Sequence, residues 1–172
     1  MDRPGPAQPG DLALEQCHDD AMDATGPTLR TPDPGDVLVA ATVAGALSGI
    51  PSTVFAILAR RSPLEAARAA GALLGKPSLW RGAVAHAAIS IVWTWLLAAV
   101  LPDRDRPALS AVDGAVAGGA VAALDLGVIG RRVPAIRELP AIPQVADHLA
   151  FGAVAALVLD QRRRRRRPFS AT

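Results

Sequence analysis

Charged residues cut the chain into long apolar runs. Between Asp36 and Arg60 lie 23 residues, Val37 to Ala59, without a charge. Roughly 20 helical residues cross the core of a bilayer, so this run predicts a first span over 37–59. Gly82 to Leu101 holds His86 as its sole ionisable residue and predicts a second span over 82–101. A third, over 108–130, lies between Arg106 and Arg131 and contains Asp113 and Asp125. A fourth, over 143–159, carries Gln144, Asp147 and His148 in its first turns. The expected fold is all-α, a bundle of four transmembrane helices. A soluble Ala-rich bundle would need a polar helix face, and Val37–Ala59 has none.

The segments between the runs have their own signals. Ser62-Pro63-Leu64-Glu65 reads as a helix start, with Ser as N-cap, Pro at the first helical position and Glu three residues in. Gly75 and Lys76-Pro77 stop that helix, which fits a short element lying at the interface. Pro102 to Pro107 makes a tight polar turn. Asp125 to His148 is a stiff cationic connection, with Arg131, Arg132 and Arg137 among Pro134, Pro140 and Pro143. Pro51 predicts a kink in the second half of the first span.

The pattern also reads as one helical hairpin used twice. Arg60-Arg61-Ser62-Pro63 follows the first span and Arg131-Arg132-Val133-Pro134 the third. Val84-Ala85-His86 opens the second span and Ala146-Asp147-His148 the fourth. Two such hairpins would run in the same sense, as in membrane proteins built from parallel repeats.

Composition sharpens the picture. Half the chain is hydrophobic, 51%, yet 3% is aromatic and no Tyr is present. Ala, Val, Leu and Gly dominate, which suits helices that approach closely. Gly45 and Gly49 on the first span, and Gly114 and Gly118 on the third, form small-residue stripes expected to pack against another helix. Residues 1–36 carry eight acids against two bases and read as a disordered acidic tail. Residues 161–172 form a basic tail, with Arg162, Arg163, Arg164, Arg165, Arg166 and Arg167 in succession. Such a run beside a span suits anionic lipid headgroups or anchors topology. Cys17 is the only cysteine, which excludes a disulfide framework and a cysteine metal motif. No cleavable signal peptide is expected. Phosphate-binding loops, zinc-protease motifs and nucleophile elbows are lacking.

The candidate chemistry is intramembrane. His86, Ser90 and Thr94 recur every four residues and share a helix face. With an even number of spans, His86, Asp125, Asp147 and His148 fall at similar depth beneath the Arg-rich connections. Ionisable groups there are costly and need a reason. One reading is a hydrogen-bonded network that fixes the helices, with Arg131 or Arg132 pairing Asp125 and with Ser90, Thr94, Asp113 and Gln144 in support. Another is a site that binds a divalent ion or relays protons. A third uses the two histidines as axial haem ligands.

Three segments carry a resemblance: His86-Ala-Ala-Ile-Ser90 with Trp93, Asp125-Leu-Gly-Val-Ile-Gly-Arg-Arg132, and Pro143-Gln-Val-Ala-Asp-His148 with Phe151-Gly152. Over about residues 37–160 the chain resembles the small four-span membrane proteins of unknown function found in high-GC Gram-positive bacteria. The resemblance implies a bacterial multi-pass protein and supplies no catalytic roles. The expected function is accordingly a non-enzymatic scaffold or assembly protein of the cytoplasmic membrane, with both tails in the cytoplasm and no cofactor. The alternatives are a small proton or metal-ion transporter or channel subunit and a bis-histidine haem subunit. The expected partners are the bilayer, anionic headgroups and a second copy or another membrane protein, with no nucleic acid.

Overall fold

The structure is a computed structural model and describes residues 31–166. The acidic segment 1–30 with Cys17, and Arg167 to Thr172, lie outside the described residues. Of the described residues 82% are helical, and none is in a strand. The elements are α1 (Pro34–Ser48), α2 (Ile50–Leu58), α3 (Glu65–Ala70), α4 (Leu79–Val100), α5 (Pro107–Leu124), α6 (Pro134–Arg137) and α7 (Ala141–Arg166). A 3-10 turn, Gly71–Leu74, extends α3. A π turn over Asp125–Ile129 and a last helical stretch, Gly130–Arg132, extend α5.

Four helical runs are long and apolar enough to cross a membrane: Pro34–Leu58, Leu79–Val100, Pro107–Arg132 and Ala141–Arg166. Their surfaces are sorted the opposite way from a soluble protein. The buried positions are mostly small, including Ala40, Ala44, Ala98, Ala122 and Ala155, whereas Leu58, Ile57, Val92, Val100 and Val116 are exposed. Only 22–33% of each apolar window is buried within the bundle, so most of that apolar surface needs a non-aqueous surrounding.

The last helix, α7, is the hub. It packs along α5 and against α1, α2 and α4. Its approach to α5 is backbone to backbone: a Cβ on Gly114 would overlap the Gly152 carbonyl, and one on Gly118 would overlap that of His148. Small residues permit this contact because two helix axes can draw together until carbonyls touch the opposite chain. Gly45 faces α4, with Ser90 Oγ 3.0 Å from where its Cβ would stand, whereas a Cβ on Gly49 would meet nothing. The two glycines of the first-span stripe therefore do different things.

The first span is interrupted at Gly49, two residues ahead of Pro51. α1 ends at Ser48, Gly49 forms the join (φ −78°, ψ 0°), and α2 restarts with Pro51 in its first turn. Pro51 has no N–H to offer the Leu47 carbonyl, so the ladder is interrupted there.

The fourth helix runs seven residues past the expected end at Leu159, to Arg166. Its arginines are held by carboxylates of the same chain. Arg162 Nε donates to Asp36 Oδ1 at 2.7 Å, and Arg166 donates to Asp33 at 2.7 and 2.9 Å and to Asp36 at 3.1 Å. Arg163 pairs with Asp103 at 3.0 Å, and Arg164 pairs with Asp160, one turn back, at 3.0 Å and donates to the Arg104 carbonyl. Four of the arginines expected to meet lipid headgroups thus clasp the start of α1 and the 101–106 turn.

Candidate functional site

The second and third spans are neighbours in sequence but hardly touch. α4 packs on α1 and α7, and α5 packs on α7. Between α4 and α5 lies an open cleft of about 990 Å³, mouth included. The connections roof it. α3 folds back on the start of α4, where a Cβ on Gly82 would overlap the Ala67 carbonyl, and it also touches α6. Ala66, Ala70, Leu73, Ile136 and Leu139 form the roof, and Ser48 and Gly49 reach the floor from the break in the first span.

His86, Asp125, Asp147 and His148 all border this one cleft, with Ser90 and Gln144. Each of the four is tied to another helix. His86, exposed to the cleft, donates its Nε2 hydrogen to the Gly45 carbonyl at 2.9 Å. Gly45 lies in the last turn of α1, where carbonyls are short of partners and a donor is favoured by the helix dipole. Asp147 does the converse at the other side of the break. Its Oδ1 accepts the Ser52 N–H at 2.9 Å. Ser52 is in the first turn of α2, and the first backbone bond there is Thr53 N–H to Gly49 O, so the Ser52 N–H needs an outside acceptor. The broken helix is capped at both of its inner ends, by a donor from α4 and an acceptor from α7.

Asp125 and His148 join α5 to α7. His148 Nδ1 lies 2.7 Å from the Gln144 carbonyl, which can only accept, so Nδ1 carries a hydrogen. Nε2 lies 2.9 Å from Asp125 Oδ2, and a hydrogen must stand between them as well. Whichever atom owns it, imidazole and carboxyl together carry no net charge. Such a pair suits an apolar medium, where a lone charge is costly. Asp125 sits at the start of the π turn, an irregularity often found at working positions.

The remaining expected residues separate. Thr94 is fully buried outside the cleft and its hydroxyl has no partner. Asp113 accepts from Arg104 at 2.6 Å, at the opposite end of the bundle. Arg131 and Arg132 are exposed, and Asp125 pairs with His148 instead of either. Among the described residues no group of three or more His, Cys, Asp or Glu could hold a metal ion. Both nitrogens of His148 are engaged, which does not favour the haem arrangement. Two partners escaped the sequence, the Gly45 carbonyl and the Ser52 N–H, because every residue carries such groups. The one available signal was Gly49 beside Pro51, which marks a place where backbone groups lose their helical partners.

Comparison of the chain with family models, with curated proteins and with solved structures found no match. The fold by itself defines the class: an all-helical protein whose four apolar helices are compatible with multi-pass insertion into a membrane.

Proposed function

We propose that this is a non-enzymatic scaffold or assembly protein of the bacterial cytoplasmic membrane. One observation carries the proposal: all four ionisable residues that border the cleft are committed to bonds between helices, His86 to Gly45, Asp147 to Ser52, and Asp125 to His148. Polar groups used as interhelical ties fit a protein whose task is to hold a shape. The resemblance to small actinobacterial-type four-span proteins supports the bacterial setting. The proposal puts both tails in the cytoplasm, since the arginine run from Arg162 to Arg167 resists translocation. Lone Cys17 reports on this: a membrane-impermeant maleimide should leave it unlabelled in intact cells and label it after lysis. Labelling in intact cells reverses the orientation.

A second reading, a small proton transporter, is favoured by the shared hydrogen between Asp125 and His148 at the wall of an open cleft. His86→Gln with His148→Gln tests the two against each other. Glutamine keeps hydrogen-bonding capacity and loses the titrating ring. The scaffold reading expects normal assembly and no proton flux in liposomes for either protein. Flux in the wild type that vanishes in an assembled double variant replaces it with transport.

A further inference from the structure

We infer that the cleft between α4 and α5 binds a lipophilic ammonium ion, a protonated amine carried on a compact apolar body. The inference holds whether the protein is a scaffold or a carrier.

The first argument is the direction of the hydrogen bonds still on offer. Both His148 nitrogens are engaged, and the Gln144 amide hydrogens go to the carbonyls of Leu139 at 3.2 Å and Pro140 at 3.3 Å. His86 gives its Nε2 hydrogen to Gly45. Gln144 keeps its carbonyl oxygen. Asp125 and Asp147 each use one oxygen in the bonds above, and a carboxylate can accept several. Only the Ser90 hydroxyl and the Trp93 indole retain a hydrogen to give. The polar wall therefore asks for a donor with several hydrogens.

The second argument is charge. No Lys or Arg lines the cleft. The Asp125–His148 pair is neutral as a unit, and His86 donates its Nε2 hydrogen to the Gly45 carbonyl. The Asp147 carboxyl borders the cleft with no base among the lining residues beside it. A carboxyl without a base beside it selects a cation, with which it can form an ion pair, over an anion, which no base would offset.

The third argument is shape and access. Ile89, Val121, Leu126, Ile129 and Phe151 supply apolar walls, and Trp93 adds an aromatic face of the kind that attracts ammonium groups. Because α4 and α5 do not pack on each other, the ligand can enter from the side, out of the lipid. A phospholipid amine is a poorer occupant, since its phosphate would find no base inside.

The test uses the full chain in phosphatidylcholine nanodiscs and two probes of one shape and opposite charge, adamantylammonium and adamantanecarboxylate, measured by calorimetry at neutral pH. The cation should bind at a single site, roughly tenfold or more tighter than the anion. Asp147→Asn retains an oxygen for the Ser52 N–H and removes the charge; it should weaken the cation by about tenfold and erase the preference. Gly49→Phe, which adds a ring where a Cβ meets nothing, should block both probes in a folded protein. Equal affinity for the two probes overturns the inference. So does wild-type binding in folded Asp147→Asn or Gly49→Phe, or displacement of the amine by added phosphatidylethanolamine.

Discussion

Asp147 caps a helix to which it does not belong. Its Oδ1 takes the Ser52 N–H at 2.9 Å, across 95 positions of sequence, where the first span restarts after its break. A carboxylate at a helix N-terminus meets both an unpaired N–H and the positive end of the dipole. The bond also ties α7 to α2 at the floor of the cleft.

Replacing Asp147 by Ala should cost about 1–2 kcal/mol of stability, the usual range for losing an N-terminal cap. Asp147→Asn should lose only a fraction of that, since the amide oxygen still accepts. Unfolding titrations in mixed micelles compare the two. Equal losses would mean that the charge matters and the cap does not.

The Asp125–His148 bond should appear as coupling. Asp125→Leu strands His148 Nε2, and leaving a buried partner unpaired costs about 1–3 kcal/mol. In a double-mutant cycle with His148→Gln, the two changes should fall short of additivity by about 1 kcal/mol or more. Additive losses would disprove the pairing.

The glycines should divide by position. Gly118→Ala puts a methyl into the His148 carbonyl, so stability should drop by about 2 kcal/mol or more. Gly49→Ala meets open space at a φ of −78° that alanine accepts, so it should be neutral or gain up to about 1 kcal/mol. Thermal melts of the two variants decide, and a severe loss in Gly49→Ala would refute the open space.

The clasp at the tail end should respond to acid. Arg166 beside Asp33 holds that carboxyl below its ordinary value of 3.8. The folded form therefore gains from the ionised carboxylate at pH above that value and loses the gain as pH falls through the lowered one. Between neutral pH and about pH 5 the melting temperature of Asp33→Asn should run parallel to wild type. Below about pH 4 the wild type should fall more steeply, until the two converge. Parallel curves throughout would show that the bond adds nothing.

The spans were legible because length and apolarity alone define them; Val37–Ala59 needs no tertiary information. The convergence of His86, Asp125, Asp147 and His148 on one cleft followed from parity, since an even number of crossings brings those helix ends together. Their partners did not follow. Arg131 looked like the natural mate for Asp125, but charge in a sequence does not say which way a side chain leaves its helix, and the π turn intervenes. Gly45 and Gly49 looked equivalent because spacing reports a shared face and not what lies opposite. The extension of α7 to Arg166 was half-visible: Asp160 and Arg164 stand four apart, the spacing of a helical ion pair. The matching carboxylates, Asp33, Asp36 and Asp103, come from distant parts of the chain.

The chain order and the packing order disagree, and this has a consequence for biogenesis. The third span rests on the fourth and hardly on the second. While it is being synthesised, the glycine face of α5 therefore has no surface to meet, and Asp125 has no imidazole. Both arrive only when the last helix leaves the ribosome. A nascent chain stalled before Ala141 would present an orphan carboxyl and an unpaired glycine face to lipid, where such a group is costly. The first span can pair with the second before that point, but the third finds its packing partner only when α7 is in place.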